Sequence, residues 1–169
     1  MSSGKFEIRH ENAGDAPLLS RLAAEAFGPG RFARSAYRVR EGVAPVAGLS
    51  LCAVLDGQVV GGVRFTAISV GGEEGALLLG PLIVAPAMAG KGFGKALIEE
   101  GLARARADGF ALVLLVGDMP YYGRFGFKPV PPARISLPGP VDPARLLYVE
   151  LVPGAIERAA GPVKGYVPQ

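Results

Sequence analysis

The spacing of apolar and polar positions divides the chain into short strands and amphipathic helices. Phe6 and Ile8 alternate with polar neighbours and predict a first strand. Leu18, Leu19, Leu22, Ala23 and Ala26 mark one face of a helix that follows Asp15, its predicted N-cap, and ends near Gly28. In the next segment, RFARSAYRVRE, Arg31, Arg34 and Arg38 recur at helical spacing and line one face. Apolar runs at 49–55 and 59–67 flank Asp56-Gly57, a pair suited to a two-residue type I′ turn, and so predict a β-hairpin. A loop at 71–75 leads to another apolar strand at 77–85, with Gly80-Pro81 in its middle. Proline has no N–H to donate, so the ladder is expected to break or bulge there.

The stretch 77–108 organises the rest. Its strand enters a glycine-rich turn, and the turn enters a helix whose buried face carries Ile98, Leu102 and Ala105. Lys95, Glu99, Glu100, Arg104 and Arg106 form the wet side. Gly109 suits the position after the helix, and the continuous apolar run at 110–116 predicts a buried strand. Strand, helix and strand make a βαβ unit, which requires a parallel pair and a right-handed crossover. Beyond Lys128 the chain is proline-rich, with one clear strand at 146–152, and 161–169 reads as a loosely held tail. The expected organisation is one domain over residues 1–169, with a core at about 6–152 and a tail at 153–169.

Composition narrows the functional classes. The 169 residues and 50% hydrophobic content suit one packed domain. The 25 glycines and 15 prolines fall between periodic segments and act as turns and strand breaks. No apolar run is long enough for a membrane helix and the N-terminus lacks an apolar leader, so the expected location is cytoplasmic with no membrane partner. The net charge of +3 comes without aromatic-basic interleaving, so no nucleic-acid partner is expected. His10 and Cys52 are the only residues of their kinds, which leaves a metal site or a Cys-His or Ser-His pair without material. Cys52, in the apolar segment LSLCAVL, is expected in the core rather than as an acyl carrier.

A glycine turn before a helix gathers backbone amides into an anion site. A mononucleotide P-loop ending at Gly94-Lys95 would need a glycine at 89 and a hydroxyl at 96, and both are alanine. A dinucleotide fingerprint starting at Gly90 or Gly92 meets Lys95 or Leu97 where its third glycine belongs. What remains, Ala89-Gly90-Lys91-Gly92-Phe93-Gly94, resembles the acyl-CoA loop of the GNAT superfamily of N-acyltransferases, Arg/Gln-x-x-Gly-x-Gly/Ala. Both glycines match. Ala89 stands where the leading Arg or Gln belongs, and the lost hydrogen bond to a charged group costs about 1.5 to 3 kcal/mol of cofactor affinity. Lys91 offers a charge opposite the pyrophosphate.

A second signature follows the 110–116 strand. In Gly-Asp-Met-Pro-Tyr-Tyr-Gly-Arg-Phe-Gly-Phe, residues 117–127, the tail Tyr122-x-x-x-Gly126-Phe127 resembles the block that closes the GNAT core. The wider string and the RFARSAYRVRE segment resemble the YhbS-like branch of small acetyltransferases. The resemblance implies an α/β (α+β) fold: a mixed, largely antiparallel sheet, splayed at a V-shaped cleft and flanked by helices. It implies acetyl-CoA as cofactor, bound by Leu82, Ile83, Val84 and residues 89–95, namely Ala89, Gly90, Lys91, Gly92, Phe93, Gly94 and Lys95. Backbone N–H groups near Ile83 and Val84 would polarise the thioester carbonyl. Tyr122 is the expected acid for the departing sulfur, with Tyr121 as substitute, unless both simply pack with Phe125 and Phe127. Asp118, Glu73 and Glu74 are the candidate bases, and Arg124 is placed to pair with a carboxylate.

The implied activity is direct acetyl transfer to a primary amine, from a small molecule or peptide, in a ternary complex. A non-catalytic acyl-CoA-binding module is the alternative, favoured by Ala89. Arg31, Arg34, Arg38 and Asp118 are the expected acceptor contacts, and the arginines incline toward an acidic acceptor. Exposed strand edges are compatible with a homodimer.

Overall fold

The computed structural model describes residues 5–27 and 35–166. Strand β1 (Phe6–His10) pairs antiparallel with β2 (Leu51–Leu55), Phe6 opposite Leu55. Helices α1 (Ala16–Phe27) and α2 (Ser35–Arg40) lie between them in sequence. The predicted hairpin joins β2 to β3 (Gln58–Val70) through Asp56 and Gly57, at φ 52° and 80°. Positive φ at both central residues is what a type I′ turn demands. Strand β4 (Glu73–Val84) then returns along β3. The connection at 71–75 is shorter than expected, because Gly71 and Gly72 supply positive φ at the turn and β4 begins directly after it.

Helix α3 (Phe93–Ala107) carries the chain over the sheet to β5 (Leu112–Val116), which pairs parallel with β4. The remaining strands are β6 (Lys128–Pro129), β7 (Ile135–Ser136), β8 (Leu146–Glu150) and β9 (Gly161–Gly165), after the short helix α4 (Met119–Tyr122). The sheet order is β1-β2-β3-β4-β5-β8-β6, and all pairs along it are antiparallel except β4-β5.

Both faces of the central strands are covered, which accounts for the unbroken apolar run in β5. Val113 and Leu115 join the cluster under α3 with Phe65 and Leu97, whereas Leu112 and Leu114 join Ile68, Leu78 and Ile156 on the other face. Gly101 sets the height of α3 above the sheet, since a Cβ there would stand 2.5 Å from the Phe65 ring. Leu19 and Leu22 of α1 cover Cys52, Val54 and Ile83.

Two expectations are corrected. Asp15 is not the N-cap of α1. Asn12 caps the preceding 3-10 turn, Ala13–Asp15, and Asp15 completes a capping box by accepting from the Asn12 N–H at 2.8 Å. Asp15 also accepts two hydrogen bonds from Arg9, at 2.8 and 3.0 Å, and one from the Cys52 thiol at 3.5 Å. The Arg9 hydrogen bonds outweigh burial and hold its carboxyl at about 2 instead of 3.8. A carboxylate with a depressed value stabilises the fold above its unfolded pKa, and that contribution fades as pH falls through the folded value. The Tm gap between wild type and Asp15→Asn is therefore expected to be constant above about pH 4.5 and to narrow from about pH 4 to about pH 2. A gap independent of pH would show that Asp15 acts only as a neutral hydrogen-bond acceptor.

The second correction concerns the tail. Residues 161–165 form β9, which pairs antiparallel with the end of β3, Val70 opposite Val163, and parallel with β7. Arg134 clamps the turn before it, donating from Nε to the carbonyls of Ile156 (2.9 Å) and Ala159 (3.0 Å) and from Nη2 to that of Glu157.

Candidate active site

The site begins where β4 departs from regular pairing. Val63 lies opposite Leu82 and Phe65 opposite Leu79, so Arg64 alone faces Gly80 and Pro81 in a two-against-one bulge. On its other edge, β4 pairs with β5 only from Ala76–Leu112 to Leu78–Leu114. From Leu79 onward the two strands part, and this is the predicted splay. The Ala85 N–H donates to Val60 on β3 at 2.8 Å, so by strand alternation Ile83 faces β3, while Leu82 and Val84 present their amides to the open edge. The predicted pair Ile83 and Val84 is thus refined to Leu82 and Val84, with the Ile83 side chain buried under α1.

The chain leaves β4 through a 3-10 turn, Pro86–Met88, and enters the glycine loop. Gly90 and Gly92 have φ of 77° and 89°, and a Cβ on either would meet open space. Glycine is needed there for backbone conformation, and the outer side stays clear for a ligand. Gly92 caps α3 without a side-chain hydrogen bond. Amides of the first turn therefore remain for an anion. Ala89, Gly90, Lys91 and Gly92 are exposed, and Phe93 and Gly94 are buried. Lys95 points along the exposed face and pairs with Glu99 at 3.4 Å. These residues fit an acyl-CoA diphosphate through backbone donors; the side-chain donor missing at Ala89 is the one departure.

The segment after β5 closes the cleft. Asp118 starts α4, whose last residue is Tyr122. Gly117 makes room for Tyr122, because a Cβ there would land in its ring. Tyr122 packs edge-on against Tyr121 (4.9 Å between centroids) and Phe127 (5.9 Å), and Tyr121 packs against Phe125 (5.7 Å). The aromatic cluster is thus present, yet Tyr122 also lines the main cavity. Burial, reinforced by Tyr121 and Asp118, pushes its hydroxyl up to about 12. Tyr121 points elsewhere: its hydroxyl stands 2.5 Å from where a Cβ on Gly94 would be, against the start of α3. Arg124 stacks on Tyr121, 4.6 Å from the ring centroid, and donates to the Tyr121 carbonyl at 3.2 Å.

A cavity of about 890 Å³ opens beside the break, bounded by α1, the end of α2, β3, the two parting strands and residues 140–145. Arg40, Arg64, Arg145, Glu41, Asp118 and Asp142 supply its charge. Of the expected acceptor contacts, Asp118 lines it, paired with Arg145 at 3.4 Å. Arg31 and Arg34 lie outside the described residues. Arg38 is exposed and lines a separate groove beside Ser136 and Lys164. Arg40, the last residue of α2, lines the cavity in place of Arg38. Arg64 and Arg145 were missed as well. Nothing local in the sequence marks them, since they reach the cavity through strand register and the β5-β8 pairing.

Glu73 and Glu74 start β4, about 20 Å along the strand from Gly80 at the usual rise per residue, so they are withdrawn as bases. Cys52 is buried, and burial together with Asp15 pushes its thiol up to about 12. A thiol in that state has no thiolate at neutral pH and no access to the cavity. Among the described residues no group of three or more His, Cys, Asp or Glu is placed to hold a metal ion. No helix among them is long and apolar enough to cross a membrane.

A sheet parted between β4 and β5, with an uncapped glycine-loop helix at the opening, defines the acyl-CoA N-acyltransferase class. The chain belongs to the acetyltransferase (GNAT) family, whose model matches residues 17–127. It is 32% identical over 132 residues to the uncharacterized N-acetyltransferase YjhQ of Escherichia coli K12, covering 76% of this chain and 73% of that protein. It is 34% identical over 122 residues to the uncharacterized N-acetyltransferase YhbS of the same organism, with 72% of each chain covered. Among solved structures, Escherichia coli YhbS in complex with CoA superposes with a TM-score of 0.83 at 28% identity, over 98% of this chain and 92% of that one. A Brucella melitensis GNAT acetyltransferase in complex with acetyl-CoA gives 0.71 at 32% identity, over 96% of each.

Proposed function

We propose that the protein transfers the acetyl group of acetyl-CoA to a primary amine by direct attack in a ternary complex. The observation that carries this reading is the coincidence, on one cleft, of an open β4 edge, an uncapped α3 and a half-buried tyrosine. The relatives crystallised with CoA and acetyl-CoA support the choice of donor. In this reading the chain is one acyltransferase domain, with β9 part of it.

The amine nitrogen bonds to the carbonyl carbon as the C–S bond breaks, and the sulfur leaves with the bonding pair. The amides of Leu82 and Val84 face the carbonyl oxygen and stabilise the charge that develops on it. Tyr122 keeps its proton throughout the neutral range. Donating it outright to a thiolate of pKa about 8.5 is uphill by roughly 3.5 pKa units. Tyr122 therefore acts as a hydrogen-bond donor that passes a proton to sulfur only as it regains one from the attacking nitrogen. Asp118 is the remaining candidate base, relaying that proton through water. Turnover of acetyl-CoA against a panel of amines tests the reading. CoA binding without turnover on any amine would favour the non-catalytic module instead.

Cys52→Ala separates direct transfer from an acyl-enzyme. Turnover within about twofold of wild type is expected, because the buried thiol is protonated and remote from the cavity. A loss beyond about a hundredfold with the fold intact would require a covalent intermediate.

Arg124 is assigned the charge that Ala89 lacks. Its guanidinium is held over the ring of Tyr121, and the Tyr121 hydroxyl reaches the start of α3, so the charge is tied through that ring to the helix that carries the phosphate-binding amides. Arg124→Gln is expected to weaken CoA about tenfold by calorimetry, with Arg124→Lys recovering part of it. Unchanged affinity would leave the backbone amides and Lys91 as the phosphate contacts.

A further inference from the structure

We propose that the acceptor is an amine that also carries a carboxylate, such as a free amino acid, and that Arg40 holds that carboxylate. This inference rests on the acetyl-transfer reading and names the acceptor within the same cavity.

Where the cavity's charges stand sets what it can hold. Its lining carries three arginines and three carboxylates, so the total is balanced and position decides. Two of the arginines flank the β4 break. Arg64 is the residue opposite Gly80 and Pro81, and it is fixed to Glu11 by two hydrogen bonds, at 2.9 and 2.6 Å. The half-buried Arg40 brings Nη1 to 3.2 Å from the point where a Cβ on Gly80 would stand. Its guanidinium thus lies against the backbone at the start of the open edge. A side chain at position 80 would crowd it.

The carboxylates stand differently. Asp118 pairs with Arg145 at 3.4 Å and is largely exposed. Asp142 accepts from the Ala144 N–H at 2.9 Å and caps a 3-10 turn. Glu41 is exposed at the mouth, beside Arg40 in sequence. No acidic cluster among the described lining residues surrounds the break, and because Glu11 balances Arg64, a diamine or polyamine would bring its second ammonium toward the Arg40 guanidinium. An α-amino acid carries its amine and its carboxylate on the same carbon. Its carboxylate can meet the planar fork of Arg40 while the amine faces the open edge of β4. The same guanidinium disfavours the ammonium form of the neighbouring amine, which is the form that cannot attack.

The test is calorimetric titration of the CoA-saturated protein with the twenty L-amino acids, their carboxamides, 1,4-diaminobutane and spermidine. At about pH 6, below the amine pKa of both, an amino acid and its amide differ chiefly in the carboxylate charge. At least one amino acid is expected to bind tenfold or more tightly than its amide. Arg40→Gln is expected to reduce that preference to twofold or less, Arg40→Lys to keep part of it, and Arg40→Glu to turn it toward the diamine. CoA affinity, measured in the same samples, reports whether each variant is folded. The proposal is overturned if an amide or a polyamine binds as tightly as any amino acid, if no amino acid binds, or if the preference survives in Arg40→Gln. Failure of the wild-type protein to bind CoA would bring down the acetyl-transfer reading itself, a result distinct from CoA binding without acid preference.

Discussion

Replacing Tyr122 by phenylalanine is expected to lower kcat by about a hundredfold or more while leaving CoA affinity within about twofold. The substitution removes one oxygen and keeps the ring, and the ring is what the structure uses: it packs edge-on to Tyr121 and Phe127 in the space that Gly117 leaves. Stability should therefore change little, and the loss should fall on the step in which sulfur departs. The pH profile sharpens the test. With its hydroxyl pushed up to about 12, Tyr122 is protonated at every pH below that, so it contributes no falling limb in the accessible range. The rising limb belongs to the acceptor amine, which attacks only when neutral and has a pKa near 10 in water. Tyr122→Phe should consequently lower the whole profile without moving its midpoint. Full activity in the variant would return the tyrosine to the aromatic cluster as a packing residue. Tyr121→Phe serves as the contrast, because its hydroxyl reaches Gly94 rather than the cavity, and its effect should appear in CoA affinity.

Local chemistry made much of this arrangement legible. Asp56-Gly57 specified the hairpin because few residue pairs accept positive φ at two successive positions. Gly80-Pro81 marked the break because a missing N–H cannot be repaired by packing, and the glycine loop marked the helix start for a similar reason. What stayed hidden depended on which distant segments meet. Asp15 carries the same polar side chain whether it caps a helix or faces Arg9, and only the β1-β2 pairing, which sets Arg9 opposite Cys52, distinguishes the two. Arg64 became a site residue through the register of β3 against β4, and a shift of one residue would have turned it to the other face. The end of α2 chose Arg40 over Arg38, since helical rotation places them about 200° apart, and the sequence pattern did not show which face meets the cavity. Short strands such as β7 and β9 have too few residues to show a period, so a proline-rich region read as irregular became part of the sheet.

That C-terminal strand carries the second large effect. Gly71→Ala is expected to cost about 2 to 5 kcal/mol, the sum of a left-handed alanine and an overpacked contact that has nowhere to relax. Gly71 sits at φ 57°, its N–H donates to the Pro162 carbonyl at 2.9 Å, and a Cβ on it would land on the carbonyl oxygen of Ala160. Both partners are backbone, so the methyl group must push β9 away from β3. Gly72→Ala supplies the control: its φ is 89°, but a Cβ there meets nothing within 4 Å, so it should cost only the conformational part, about 1 to 2 kcal/mol. The difference between the two Tm values isolates the close approach, at roughly 2 to 4 °C per kcal/mol for a chain of this size. The consequence reaches the site, because Gly165 at the end of β9 lies against the Val39 carbonyl and the Val43 side chain, beside the turn of α2 that delivers Arg40. Loosening β9 should therefore raise the KM for the acceptor more than that for acetyl-CoA, whose loop lies at the start of α3. Equal increases in both, or equal Tm losses in the two alanine variants, would separate β9 from the acceptor wall.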